Sequence, residues 1–392
     1  MNILIITPYI SSSYGGISKI VIEFIQEISK LGIKVDLITT NADPFHKLNV
    51  PLNTWITKEN YRVQYFSCWH RNDLIISYYM IKWLFFHITD YDIIHSNTIF
   101  SPLISTSNWI CQLRKIPYLI TPHGMLEPWA LSYKGWKKRL YFALIEKPSL
   151  QKSRTIQVNS SSEENSIKSL GIKSPIVIIP NGVHRQEFEN LPDPDLFYQQ
   201  FPHTRNKTLI LFLGRIDPKK GLDLLAPAFA KVYNQFPQTH LIVAGPDSIG
   251  FLPTAKSYFT QAGCLEAVTF TGMLTGELKL ATLAAANIYI APSYSEGFSM
   301  SVLEGMATGL PCVITTGCNF PEAGIADAAK IVNTNHKDIS DALIELLQDA
   351  DGAKKMGDRA RQFILDNYTW DKIALKMVSV YEDIIFRSPT SF

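Results

Sequence analysis

Apolar runs of strand length recur along this chain, each followed by a loop carrying Gly, Pro or Ser and then by a segment of helical period. Asn2 to Thr7 runs through the loop Pro8 to Gly16 into the periodic segment Ile17 to Leu31, closed by Gly32, and Ile33 to Thr39 is the next strand. That order is a βαβ unit, and it commits the chain to parallel sheet, because parallel neighbours need a long crossover. The alternation continues through Val63 to Phe66, a helix over 74–88, Asp92 to Ser96, a helix near 101–114, Pro117 to Thr121, Arg154 to Asn159, Ser160 to Leu170 and Pro175 to Ile179. It restarts at Lys207 to Leu213 and passes through His240 to Gly245, Glu266 to Thr271, a helix over 276–285 and Asn287 to Ala291. Further alternation reaches Ile331, and Lys337 to Phe386 reads as helix throughout.

The fold class is therefore α/β. A chain of 392 residues is too long for one ordinary core and suits two domains. The stretch 186–206, rich in Pro, Asp, Gln and other polar residues, reads as a linker between a domain over 1–185 and another over 207–370. The two halves look like two copies of one architecture.

Composition narrows the function. Hydrophobic residues make up 46% and charged residues 18%, as in a soluble globular protein, and the net charge of +2 gives no reason to expect nucleic acid as a partner. Five cysteines, Cys68, Cys111, Cys264, Cys312 and Cys318, are odd in number and lack C-x-x-C spacing, so neither a disulfide framework nor a zinc site is expected. The strand pattern starts at Met1 with no basic leader, and the greasiest run, Leu74 to Ile88, is interrupted by Lys82 and shorter than a bilayer span. A cytoplasmic protein is expected. Between Trp129 and Lys152 aromatic and basic residues interleave (Trp129, Tyr133, Lys134, Trp136, Lys137, Lys138, Arg139, Tyr141, Phe142), which suits either peripheral docking on an anionic membrane surface or a solvated basic face.

Candidate chemistry lies on loops at the carboxyl ends of strands, where open α/β sheets hold ligands. Ser293 to Cys312 carries Glu296 and Glu304 eight positions apart, after the strand Asn287 to Ala291 and Pro292. Eight helical positions would separate the two acids by roughly 12 Å and about 80° in azimuth, unsuited to one compact site. With Glu296 on the loop and Glu304 one turn into the following helix, both can face an elongated ligand, and the N–H groups near Phe298 to Ser301 favour an anion between them. Arg215 and Lys220 follow the strand Lys207 to Leu213 and can hold a diphosphate, the one as a planar fork and the other as a mobile point charge. His123 follows the strand Pro117 to Thr121, Gly15-Gly16 opens the first helix, and backbone groups around Gly272, Met273 and Leu274 can edge a planar base. The other histidines, His70, His87 and His95 among them, read as structural.

In this order the motifs Gly15-Gly16, His123-Gly124, Pro180-Asn181-Gly182-Val183, Gly214-Arg215 with Lys220-Gly221, Thr271-Gly272 and Glu296 through Glu304 resemble the large retaining family of GT-B glycosyltransferases that includes sucrose synthase and bacterial polysaccharide-building enzymes. The resemblance spans nearly the whole chain. It implies two Rossmann-like domains facing each other across a cleft, an acceptor domain first and a donor domain second, with the terminal helix 371–392 packed back on the first. It implies that Gly15 and Gly16 approach donor and acceptor, that Arg215 and Lys220 bind the diphosphate, and that His123 and Glu296 contact the transferred sugar. Gly297, Phe298 and Ser299 would offer backbone groups, Met300 and Leu303 would line the donor site, Glu304 would bind the ribose, and Thr271, Gly272 and Met273 the base. His184 stands where the family often has Asp, and Ser299 where it frequently has Gly. The function implied is transfer of a hexosyl or hexuronosyl group from a UDP-sugar to a hydroxyl of a glycan or lipid-linked acceptor, in cell-surface polysaccharide synthesis on the cytoplasmic face of the inner membrane. No D-x-D type pair sits at a strand end, so neither metal nor other cofactor is expected.

Three other readings share these residues. A glycoside hydrolase also uses two carboxylates, about 5 to 5.5 Å apart when retaining and about 6.5 to 9.5 Å when inverting. A non-catalytic nucleotide-sugar sensor and a sugar-nucleotide epimerase would use the same fold.

Overall fold

The computed structural model describes residues 1–14, 16–71, 74–128, 131 and 135–386. It divides into two compact units, Met1–Asn181 with the terminal segment from Trp370, and Gly182–Thr369.

The first unit is built on strands β1 (Asn2–Ile6), β2 (Lys34–Thr40), β3 (Trp55–Thr57), β4 (Arg62–Phe66), β5 (Trp69–Arg71), β6 (Leu74–Ile76), β7 (Ile93–Asn97), β8 (Tyr118–Thr121), β9 (Thr155–Val158) and β10 (Ile176–Ile178). The main sheet runs β10-β9-β8-β7-β1-β2-β4-β3, parallel except for β3, which pairs antiparallel with β4 at one edge. Strands of a parallel sheet are covered on both faces, which is why Ile3, Leu4, Ile5 and Ile6 are all fully buried in spite of their alternating directions. The terminal helix Trp370–Phe386 packs on helix Gly16–Lys30 within this unit. Trp370 donates its indole N–H to Glu23 (3.0 Å), and the Tyr381 hydroxyl meets His95 Nδ1 (2.6 Å).

The second unit carries β11 (Thr208–Leu213), β12 (Thr239–Ala244), β13 (Val268–Gly272), β14 (Ile288–Ala291), β15 (Cys312–Thr315) and β16 (Lys330–Val332), all parallel, in the order β13-β12-β11-β14-β15-β16. This is the doubly wound nucleotide-fold order, which reverses direction between β11 and β14.

Three expectations change. The apolar run over 74–88 is not one helix: Leu74–Ile76 pairs with Trp69–Arg71, and helix Tyr78–His87 starts only after Ser77, whose hydroxyl caps it by accepting from the Met80 N–H. The stretch over 186–206 is not a linker. It forms short helices whose Phe188 and Phe197 are buried in the core of the second unit, so that core starts at Val183. The segment from 337 to 386 is three helices, His336–Gln348, Ala350–Asn367 and Trp370–Phe386, because Asp349 caps the second through the Gly352 N–H and Tyr368 leaves helical geometry before the third.

Candidate active site

Where a doubly wound sheet reverses its order, the loops leaving the two central strands turn to opposite faces and open a crevice. In the second unit those loops follow β11 and β14, and they carry Arg215 to Gly221 and Pro292 to Ser299. Asp217 accepts from the Lys219 N–H (3.1 Å) and sets a short 3-10 turn over Pro218–Lys220, ended by Gly221 at φ 71°. A Cβ on Gly221 would lie 2.0 Å from the Pro292 carbonyl oxygen, so glycine there is what lets the two loops touch. The contact delivers Lys220 Nζ to 2.5 Å from Glu296 Oε1, and Ser293 Oγ donates to the same oxygen at 2.7 Å.

The Glu296 backbone is fixed as firmly as its side chain. Its N–H donates to Gly317 O (2.8 Å), Asn319 Nδ2 donates to its carbonyl (2.6 Å), and the Tyr294 N–H donates to Lys219 O (2.8 Å). The side chains of Lys220 and Glu296 are only 12% and 9% exposed. Burial pushes the Glu296 carboxyl up, but the ammonium groups of Lys220 and Lys219 and the Lys220 and Ser293 hydrogen bonds outweigh it and hold it below the ordinary carboxylate range. Burial pushes the Lys219 ammonium down. Arg215 is held loosely, 46% exposed and 3.8 Å from Asp217, so its guanidinium is free to turn to a ligand.

Helix Met300–Thr308 starts from Ser299, which makes no side-chain capping bond, so the first-turn N–H groups stay available to an anion. Glu304 lies just over one turn in, and Lys279 Nζ meets its Oε1 at 2.8 Å. Each acid of the pair thus has its own lysine. Phe298 packs its ring on Phe320 and Tyr368. Met300 packs partly buried against the core, and Leu303 is fully buried there, so Leu303 supports the helix and presents no side-chain surface to a ligand, contrary to the sequence expectation. At the end of β13, Gly272 has φ 73° and its carbonyl accepts from the Gly245 N–H (2.8 Å) and Thr271 Oγ1 (3.0 Å), while Met273 is exposed beside them. Among the described residues no group of three His, Cys, Asp or Glu side chains is placed to hold a metal ion.

In the first unit His123 follows β8 in left-handed geometry, φ 54°, and its Nε2 lies 2.9 Å from Asn97 Oδ1 at the end of β7. Burial lowers its pKa to about 4, so the ring is neutral at physiological pH. A small cavity beside it is lined by Phe24, His95, Asn97, Thr121, Gln157 and Trp370. His95, read from sequence as structural, joins this cavity through Nε2 to Thr121 Oγ1 (2.7 Å), which donates on to Gln157 (2.9 Å). No spacing signal announces His95, because it reaches the cavity only through strand pairing. Gly16 opens helix Gly16–Lys30, and a Cβ there would meet nothing within 4 Å; Gly15 lies outside the described residues.

The aromatic and basic segment forms helix Gly135–Tyr141, a π-helical turn over Phe142–Glu146 and helix Lys147–Lys152. Trp129, Tyr133 and Lys134 lie outside the described residues. Trp136, Leu140 and Leu144, spaced four apart, are exposed, as are Trp109 and Leu113 on helix Pro102–Arg114. Trp109, Tyr141, Leu144, Ile145 and Lys152 line one surface depression. Among the described residues no helix is long and apolar enough to cross a membrane.

Two family models match this chain, "Glycosyltransferase Family 4" over residues 14–187 and "Glycosyl transferases group 1" over residues 195–363. A GDP-mannose-dependent alpha-(1-6)-phosphatidylinositol monomannoside mannosyltransferase of Mycobacterium tuberculosis is 26% identical over 56% of the chain, and the chain spans 59% of that protein's length. A phosphatidyl-myo-inositol mannosyltransferase of Mycolicibacterium smegmatis is 25% identical over 98% of the chain and 94% of its own. The structure of Anabaena HepE in complex with UDP-glucose superposes with a TM-score of 0.76 at 16% identity, covering 98% of this chain and 100% of that one. With one model on each half and a doubly wound sheet in each unit, the chain belongs to the group 1, family 4-like glycosyltransferases of GT-B fold.

Proposed function

We propose that this protein transfers a hexosyl or hexuronosyl group from a nucleoside diphosphate sugar to a hydroxyl of a glycan or lipid-linked acceptor, with retention at the anomeric carbon. The observation that carries this reading is the meeting of Lys220 and Glu296 at the order reversal of the second sheet, with Glu304 one turn into the adjoining helix. The diphosphate lies against Arg215, Lys220 and the N-terminus of helix Met300–Thr308, which stabilise its growing charge as the glycosidic bond breaks, without a metal. Glu304 takes the ribose diol, the backbone at Thr271, Gly272 and Met273 edges the base, and Glu296 and His123 contact the sugar. In a front-face substitution the leaving phosphate itself helps accept the acceptor's proton, so Glu296 orients the sugar and forms no covalent bond to it.

UDP is the nucleotide favoured here, supported by the likeness to HepE with bound UDP-glucose. The mannosyltransferase named above is GDP-mannose-dependent, and that observation favours GDP-mannose as the second reading. In a hydrolase Glu296, held low by its lysines, could not be the general acid, which needs a raised pKa. Cell-surface polysaccharide synthesis supplies such acceptors. The exposed row Trp136, Leu140 and Leu144 beside Trp109 suits peripheral attachment to an anionic membrane, since residues 129–152 contain six Lys or Arg and one acid, Glu146, which is buried.

The test is a panel of UDP- and GDP-hexoses incubated with and without polyprenyl-linked or free saccharide acceptors, scored by nucleotide release and by the anomeric configuration of the product. Acceptor-stimulated release with a product of the donor's configuration supports the reading. Tight binding without release would favour a sensor, and interconversion of donors an epimerase.

A further inference from the structure

We propose that Glu163 is a positioning residue for His123, its buried carboxylate holding the His123–Gly124 turn in the conformation that keeps the imidazole against Asn97. The proposal rests on the reading that His123 contacts the transferred sugar, and it adds a residue that neither the motifs nor that reading contains.

The turn needs holding. His123 and Gly124 have φ of 54° and 75°, two left-handed residues in succession, and a side-chain-bearing residue stays there only where its surroundings impose it. Within the turn the Met125 N–H reaches Pro122 O at 3.2 Å and the Glu127 N–H reaches Gly124 O at 3.3 Å, both long. The short bond is the one to Glu163, whose Oε1 accepts from the Gly124 N–H at 2.6 Å. Its Oε2 accepts from the Asn159 N–H at 2.9 Å, so one carboxylate ties the end of β8 to the end of β9. Charge-assisted bonds from backbone N–H groups are the stronger kind.

Glu163 is itself fixed. It sits in the first turn of helix Ser161–Ser169, its own N–H donates to the capping Ser160 Oγ (3.2 Å), and its side chain is fully buried. Burial pushes its carboxyl up to about 7, and the buried Glu127 carboxyl adds to this. Keeping an acid in such a place opposes stability, which argues for a role beyond packing. From the first turn of that helix the acid reaches Asn159 and, across the sheet edge, Gly124. Glutamine cannot substitute, since it has one accepting oxygen and would set an NH2 group against one of the two N–H donors.

The experiment compares wild type, Glu163→Gln, His123→Ala and the double variant in the full chain, reading kcat, nucleotide Kd, thermal stability and the His123 ring resonances by NMR. Glu163→Gln is expected to shift the His123 ring resonances and lower kcat about 10- to 100-fold, the consequence of leaving an N–H unpaired. Nucleotide Kd should stay within about twofold, and in the His123→Ala background the same substitution should lower kcat less than about threefold, because coupled positions are not additive. Unmoved ring resonances, or an undiminished loss in the His123→Ala background, would overturn the proposal. If His123→Ala keeps full turnover while the ring resonances still move in Glu163→Gln, the sugar-contact reading of His123 falls and the latch stands. If Glu163→Gln does not fold, the wild-type Gly124 amide decides: a downfield, slowly exchanging N–H supports the bond to a carboxylate, and a fast-exchanging one overturns it.

Discussion

Lys220 and Glu296 stand 76 residues apart in the chain and 2.5 Å apart in space, on loops from the two strands between which the second sheet reverses its order. A buried lysine holding a buried glutamate ionised is a poised arrangement. On the proposed function an arriving diphosphate would compete for the ammonium, and a sugar hydroxyl would donate to the carboxylate.

Lys220→Ala should lower kcat by about 100- to 1000-fold, the loss seen when one donor to a developing oxyanion is removed, with a smaller rise in KM. Steady-state kinetics at saturating donor read this directly. An unchanged kcat with only a raised KM would mean that Lys220 binds ground state and transition state alike.

Glu304 and Lys279 are both mostly buried, so removing either leaves the other's charge without its 2.8 Å partner. Glu304→Ala is expected to weaken UDP binding about 10-fold or more through the lost ribose contact. Lys279→Met should weaken it less, and calorimetric Kd values should show coupling of about 0.5–3 kcal/mol in the double variant. A wild-type UDP Kd in Glu304→Ala would remove the ribose role.

Much of this was legible in advance, and the part that was not has a physical cause. Glu296 on a loop and Glu304 one turn into a helix follow from Pro292 ending a strand and from the helical spacing, and the structure has both. Strand order is not written in local sequence, so the reversal between β11 and β14 could not be read, nor could the pairing of Glu304 with Lys279 from a different helix. His95 and Glu163 escaped for the same reason, since each acts on a neighbouring strand. The stretch 186–206 misled because Phe188 and Phe197 are isolated apolar anchors in polar surroundings, too sparse to give a period.

Gly221→Ala should disrupt the Lys220 loop, since its Cβ would fall 2.0 Å from Pro292 O and φ 71° strains any L side chain. The expected cost is at least about 2 kcal/mol, seen in urea unfolding, with activity lost in parallel. Gly16→Ala, where a Cβ meets nothing within 4 Å, should leave stability nearly unchanged.

Two buried acids should give opposite pH responses. Glu296 is held below the ordinary carboxylate range by its lysines, so its contribution to stability is present above that range and lost as pH falls through the folded pKa. Glu146 is pushed up to about 7 by burial, so its contribution is present below 4.5 and lost as pH rises through about 7. Glu146→Gln should therefore flatten the fall in unfolding free energy between about pH 5 and 8, by roughly 3 kcal/mol at the upper end. A pH profile unchanged by that substitution would contradict the assignment.

Vesicles containing anionic lipid should retain the protein, and raising salt should release it, with about 1 kcal/mol lost for each of Lys138 and Arg139 replaced by Gln. Replacing Trp136 and Leu144 by Ser should weaken the salt-resistant part. Equal binding to neutral vesicles would argue against a charge-guided surface.

The most direct measurement is a crystal structure of the protein with a bound nucleoside diphosphate hexose. The proposed function requires the diphosphate within hydrogen-bond reach of Lys220 Nζ and the Arg215 guanidinium, the ribose diol on the Glu304 carboxylate and the hexose hydroxyls on Glu296. A nucleotide bound at any other edge of the second sheet, with the Lys220–Glu296 pair still closed, would contradict it.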